Sequence, residues 1–195
     1  AYHEAGHALV AHLLPDADTV HKISIIARGG MGGYTRLLPT EDRYLMTKDQ
    51  FTDMLATAMC GRVAEELIFN LVTTGASNDI EQATQRARLM VTRYGMSKRL
   101  GPRTFGKNED MVFLGREISD QRNYSDKIAE EIDSEVCELI DSAYSTATSI
   151  LTENKPKLIE IAEYLILNET VEGDALENLF GTSQGPVGAH EVTGD

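Results

Sequence analysis

Two imidazoles and a carboxylate stand close together at the start of this chain, in the order His3-Glu4-Ala5-Gly6-His7. An α-helix advances about 100° per residue, so the HExxH spacing sets the two histidines about 40° apart on one face with Glu4 beside them. Neutral imidazole nitrogens bind Zn²⁺ at about 2.0–2.1 Å and leave a coordination position for water, whose pKa falls to about 7. A carboxylate next to that water can take its proton as the oxygen attacks a carbonyl. The chemistry expected of His3, Glu4 and His7 is therefore metal-assisted hydrolysis, with Glu4 as the base.

The element that must position these groups is a buried helix. Ala8, Leu9, Val10, Ala11, Leu13 and Leu14 continue it with a broad apolar surface, and Pro15 stops it. A third ligand must come from elsewhere. In the pattern H-E-x-x-H-x-x-G-x-x-H, glycine and histidine would fall where Val10 and Leu13 stand. His12 is one residue early and turned about 140° from His7, so it points away from the ion. His21 lies near an expected strand and His190 in a polar tail. The acidic candidates are Glu65 and Glu66, within an expected helix, and Asp79, at a loop-to-helix junction. A charge in the first helical turn is stabilised by the macrodipole, and Ser77 and Asn78 are good N-cap types. Spacing alone leaves Glu65, Glu66 and Asp79 open.

Composition narrows the partners. The 195 residues carry a formal charge of −13, and the absence of a Lys/Arg stripe argues against nucleic acid. Cys60 and Cys137 sit in no CxxC or CxH spacing and read as reduced, helix-packed thiols. No apolar run approaches the roughly 18 residues of a membrane span, and Ala1–Leu14 does not resemble a signal peptide.

The expected fold class is mainly α within α+β, with a small β-hairpin near the site. Val20–Ala27 has the β-branched content of a strand, and Tyr34–Leu38 forms a second extended piece after a glycine turn at 29–33. Helices are expected from Thr47 or Lys48 to Phe69, from Asn78 or Asp79 to Tyr94, from Ser125 to about Thr152, from Lys155 to about Asn168, and from Asp174 to Phe180. Residues 97–117 read as irregular and 181–195 as a disordered tail. The apolar stripe of Ile128, Ile132, Val136, Leu139 and Ile140 is assigned to the core.

Six blocks, in order and at family-like spacing, make the chain from Ala1 to about Phe180 resemble the peptidase domain of the FtsH family. They are Ala1–Ala8, Gly32–Asp42, Gly61–Glu66, Thr74–Thr84, Tyr94–Pro102 and Phe113–Glu117. One departure is Ala27 in Ile25-Ile26-Ala27-Arg28-Gly29, where many members have proline.

The resemblance implies a zinc endopeptidase domain over 1–180, with a catalytic part at 1–117 and a C-terminal helical bundle at 118–180. It implies one Zn²⁺ per subunit held by His3, His7 and Asp79, which makes Glu65 and Glu66 candidates to orient a ligand imidazole. It also implies a homohexamer, an upstream AAA module that uses ATP, and unfolded polypeptides as substrates. A membrane anchor, bacterial or organellar, would lie in the N-terminal part of the parent, with this domain on the cytoplasmic, matrix or stromal side. Substrate would pair by β-augmentation with an edge formed by Ile23, Ser24, Ile25, Ile26 and Ala27. Two other functions fit parts of the pattern: a non-catalytic, zinc-stabilised oligomerisation module, which has no use for Glu4, and a stand-alone peptidase for small peptides.

Overall fold

A computed structural model describes residues 1–27, 32–39, 45–106 and 124–181. The expected glycine turn, apart from Gly32 and Gly33, the Thr40-Glu41-Asp42 block, the stretch at 107–123 with the Phe113–Glu117 block and the 117/118 junction, and the tail beyond Gly181 with His190 lie outside the described residues.

Helix α1 spans Tyr2–Leu13 and is followed by strands β1, Thr19–Ser24, and β2, Tyr34–Leu38. Helix α2 covers Lys48–Phe69, and after a 3-10 turn at Thr74–Ala76 comes α3, Ser77–Thr92. Helix α4 is Asp126–Glu153 and α5 is Lys155–Asn168; strand β3, Thr170–Glu172, and helix α6, Asp174–Phe180, follow. The described residues are mainly helical with one small antiparallel sheet, as the sequence leads one to expect.

Helix ends follow local chemistry. Thr47 and Gln50 form a reciprocal capping box at the start of α2, and Asn70 ends it in the left-handed conformation at φ 52°. The Ser125 hydroxyl accepts from the Ile128 N–H at the head of α4. Helix α3 differs from expectation. The 3-10 turn runs straight into it, so Ser77 is already helical, Ala76 stands at the cap without a side-chain bond, and the Thr73 hydroxyl accepts from the Gly75 N–H instead.

One continuous core joins the elements. α1 packs on α2 and α5, while α4 crosses α2 and α3. Leu9, Val10, Leu55, Met90, Ile132, Leu151 and Leu158 are fully buried there. Ile132 and Val136 of the α4 stripe are buried, and Ile128, Leu139 and Ile140 pack against the same core. α1 and α2 approach closely at Gly6, where a methyl group would lie 2.8 Å from both the Ala64 Cβ and the Cys60 carbonyl oxygen. Cys60 is buried and Cys137 exposed; both are free thiols. His12 is exposed and stacks on Phe180, with ring centroids 4.2 Å apart. Among the described residues no helix is long and apolar enough to cross a membrane.

The sheet corrects one expectation. Its order is β2-β1-β3, so β1 is central. Ile23 pairs with Thr35 on one side and Val171 on the other, and Ser24 with Tyr34 and Thr170. The Ile25 N–H donates to the Glu169 carbonyl at 2.9 Å. The edge expected at Ile23, Ser24, Ile25, Ile26 and Ala27 is therefore not an edge: Ile23 and Ser24 are paired on both flanks, and the strand ends at Ser24. The outer edges belong to β2 and β3. Strand β3 was invisible in the sequence because three residues are too few for an alternating pattern.

Candidate metal centre

Helix α1 carries His3 and His7 on the face that meets α2 and Glu4 toward β2, and each imidazole is fixed from behind by a different part of α2. His7 Nδ1 donates to the Thr57 carbonyl oxygen at 2.8 Å. His3 Nδ1 donates to Glu65 Oε1 at 3.1 Å, while Glu65 Oε2 accepts from the Thr73 hydroxyl at 2.8 Å. Both rings are thereby set with Nδ1 protonated and the Nε2 lone pair turned forward. Gly61 makes room for this arrangement, because a methyl group there would overlap the His3 ring.

The two bare nitrogens meet the third residue brought in by α3. His3 Nε2 lies 3.1 Å from His7 Nε2 and 3.1 Å from Asp79 Oδ2, and Asp79 Oδ2 lies 3.4 Å from His7 Nε2. Tetrahedral coordination with bonds of about 2.0–2.1 Å separates neighbouring donor atoms by about 3.3 Å. The triangle fits a zinc ion, and its chemistry, two imidazole nitrogens and a carboxylate oxygen, is a zinc donor set. His3, His7 and Asp79 are the one group of this kind among the described residues. Three protein donors leave the fourth position open, as a catalytic site requires.

Without an ion, the same carboxylates draw to His3 a proton that a metal would displace. Burial opposes a proton on His3, yet the hydrogen bond to Asp79 and the charges of Glu4, Asp79 and Glu65 outweigh it and hold His3 above the ordinary histidine value. Burial likewise opposes charge on Asp79, but its hydrogen bonds to His3 and His7 and their charges pull its carboxyl well below the usual carboxylate range. Asp79 also sits in the first turn of α3, where the helix dipole favours the ionised form.

Glu4 is 8% exposed, and its Oε2 accepts from the Thr35 hydroxyl of β2 at 2.9 Å. It lines a cleft of about 900 Å³ together with His3, His7, Thr35, Asp79 and Arg86. The two adjacent glutamates of α2 part company: Glu65 reaches His3, whereas Glu66 Oε2 accepts from the Tyr144 hydroxyl of α4 at 2.6 Å. Ile25 reaches the cleft wall, but Ile23, Ser24, Ile26 and Ala27 do not line it.

Sequence reasoning missed Thr35, Thr57, Thr73 and Gly61 as parts of the site. A glycine inside a helical pattern signals close approach, so Gly61 carried a readable sign. The three threonines act through contacts from other elements, two of them with α1, and leave no local signature.

The chain matches peptidase family M41 over residues 1–179. It is 62% identical over 180 residues to the ATP-dependent zinc metalloprotease FtsH 1 of Thermomicrobium roseum, and equally so to that of Sphaerobacter thermophilus. Each of these alignments covers 92% of this chain and 28% of the relative. The FtsH 1 of Thermoanaerobacter sp. is 53% identical over 180 residues, 92% of this chain and 30% of the relative. The chain thus spans less than a third of the length of these curated relatives. With the family matched across nearly every described element and the two histidines of its HExxH helix facing a carboxylate as third donor, the chain belongs to peptidase family M41.

Proposed function

We propose that this chain is the zinc endopeptidase part of an ATP-dependent protease whose other modules lie elsewhere in a longer polypeptide. The observation that carries the reading is the triangle of His3 Nε2, His7 Nε2 and Asp79 Oδ2 beside the buried carboxylate of Glu4. His3, His7 and Asp79 would hold one zinc ion per subunit, and when bound it supplies Lewis-acid polarisation of a water molecule and of the scissile carbonyl. Glu4 accepts the proton of the water and delivers it to the leaving amine. Glu65 and the Thr57 carbonyl keep both imidazoles oriented and their Nε2 atoms unprotonated.

Substrate lies extended in the cleft between β2 and α3. With β1 paired on both sides and β2 rather than β3 lining the cleft, the outer edge of β2 offers backbone groups to a peptide strand, a mode that reads main chain more than side chains. Such recognition suits unfolded polypeptides. An acidic chain with a charge of −13 does not suit nucleic acid.

The relatives' names carry ATP dependence, and the family resemblance carries the rest of the assembly: a homohexamer, an upstream AAA module that uses ATP, and a membrane anchor in the N-terminal part. The domain faces the cytoplasm, matrix or stroma. A purely structural zinc module is disfavoured by the three-donor set and by a buried Glu4 that ligates nothing.

The test is cleavage of an unfolded protein by the full-length protein, with and without ATP and a zinc chelator, alongside Glu4→Gln. Glu4→Gln should retain zinc and lose hydrolysis, and the chelator should abolish hydrolysis in the wild type. Cleavage by Glu4→Gln at the wild-type rate would sink the assignment of the base. Cleavage insensitive to chelation would sink the metal.

A further inference from the structure

Strand β2 and the residue just before it press on Glu4 through two residues that share one face of the chain. Thr35 lies opposite Ile23 in the β1–β2 ladder, so its place is fixed by strand register. Its hydroxyl is 2.9 Å from Glu4 Oε2 and 3.1 Å from the Glu4 carbonyl oxygen. A hydroxyl has one proton to give. The carboxylate is both the nearer acceptor and the charged one, and charge-assisted bonds are the stronger. Two residues earlier, on the same side of the extended chain, Gly33 leaves the space that Glu4 occupies. A methyl group at 33 would lie 2.9 Å from Glu4 Cγ and 2.5 Å from the Ser24 carbonyl oxygen.

A glutamate side chain has three rotatable bonds, and one that lines an open cleft is free to swing. Here its Cγ rests against the bare backbone of Gly33 and one carboxylate oxygen is held by Thr35. We propose that Thr35 is a positioning residue for the general base: by donating to Glu4 Oε2 it fixes the carboxylate plane and reserves Oε1 for the proton of the attacking water. Thr35 touches neither metal nor substrate in this role and acts only through Glu4. The inference rests on the reading of Glu4 as the base.

Valine matches the shape of threonine and its preference for strands but lacks the donor, while serine keeps the donor. The experiment compares Thr35→Val and Thr35→Ser in the full-length protein, measuring zinc content and steady-state cleavage of a fluorogenic peptide. Thr35→Val should bind zinc as the wild type does, keep KM, and lose about 10–100-fold in kcat, the range for removing a partner that orients a site residue. Thr35→Ser should restore kcat to within about threefold of the wild type, which a loss of packing alone would not allow, since serine packs less than valine. In a Glu4→Gln background Thr35→Val should cost nothing further, because residues that act as a unit are not additive.

An inert Glu4→Gln enzyme beside a Thr35→Val enzyme of wild-type kcat would overturn the role of Thr35 and leave the base in place. Failure of serine to rescue, or a loss confined to KM, would overturn it equally. An active Glu4→Gln enzyme would overturn the base and the role of Thr35 together.

Discussion

Replacing Gly61 by alanine should strip the protein of most of its zinc affinity while leaving the metal-free fold at least as stable. Gly61 is buried inside α2 and faces the His3 ring. The added methyl carbon would lie 2.5 Å from His3 Nε2 and 2.6 Å from Nδ1. Non-bonded carbon contacts settle at about 3.5–4.0 Å, so the ring must retreat by about 1 Å. It has somewhere to go, because the His3 side chain is 19% exposed toward the cleft. Zinc–ligand distances tolerate about 0.2 Å, so a displaced His3 would fall outside the reach of the proposed ion, and it would also leave Glu65. Disturbing a group that merely orients a ligand lowers metal affinity about 10–100-fold, and losing the ligand should cost at least the upper end of that range, about 3 kcal/mol.

The opposing effect is intrinsic: alanine in a helix interior is favoured over glycine by about 0.8–1.0 kcal/mol. Zinc titration against a competing chelator, paired with thermal unfolding in excess chelator, separates the two. Affinity within threefold of the wild type would refute the steric argument. A metal-free variant that melts well below the metal-free wild type would show that α1 had been pushed off α2 instead.

Three further outcomes follow from the same contacts. Asp79→Asn should lose zinc most severely, Glu65→Gln about 10–100-fold, and Glu66→Gln nothing measurable, since Glu66 bonds Tyr144 and not a ligand; chelator titration of the three variants decides. Thr57→Val should leave stability unchanged or raise it by about 1 kcal/mol in urea unfolding, because the Thr57 hydroxyl is buried without a partner while its carbonyl, which holds His7, is retained. Burial raises the Asp53 carboxyl above its ordinary value of 3.8, with the Asp16 N–H opposing and the charges of Asp16 and Asp49 adding to it. A raised acid is penalised when ionised in the fold, so the penalty is absent below pH 3.8 and complete above the folded value. Asp53→Asn should therefore stabilise at pH 7 and lose its advantage as the pH is lowered through that window; an advantage that grows in acid would reverse the sign.

What the sequence disclosed was local. The HExxH helix, the ends of α2 at Thr47 and Asn70, and the start of α4 at Ser125 all follow from residues within a turn of the feature they make. What it withheld was long-range. Glu65 and Glu66 are about 100° apart on α2, and only the packing of α1 and α4 against that helix gives one to His3 and the other to Tyr144, 78 positions away. Thr35 meets Glu4 across 31 positions. Ser77 and Asn78 have the side chains of a cap, but the 3-10 turn before them starts the helix at a residue that has none. The edge assigned to Ile23–Ala27 failed for the same reason: strand neighbours are a property of the whole chain, and β3 arrives from beyond residue 169.

That late arrival imposes an order on the birth of the site. The Ser24 and Thr170 hydroxyls that bond across β1 and β3 are 146 positions apart. At ribosomal rates of about 5–20 residues per second, roughly 7–30 s separate the synthesis of the two strands. Throughout that interval α1, with both histidines and the glutamate, is already made, while β1, the partner that holds β2 and its threonine in register, still has one flank unpaired. A nascent chain therefore carries the parts of a protease before it carries the frame that aligns them, and β3, the last of the described strands to be translated, completes the sheet beside Glu4.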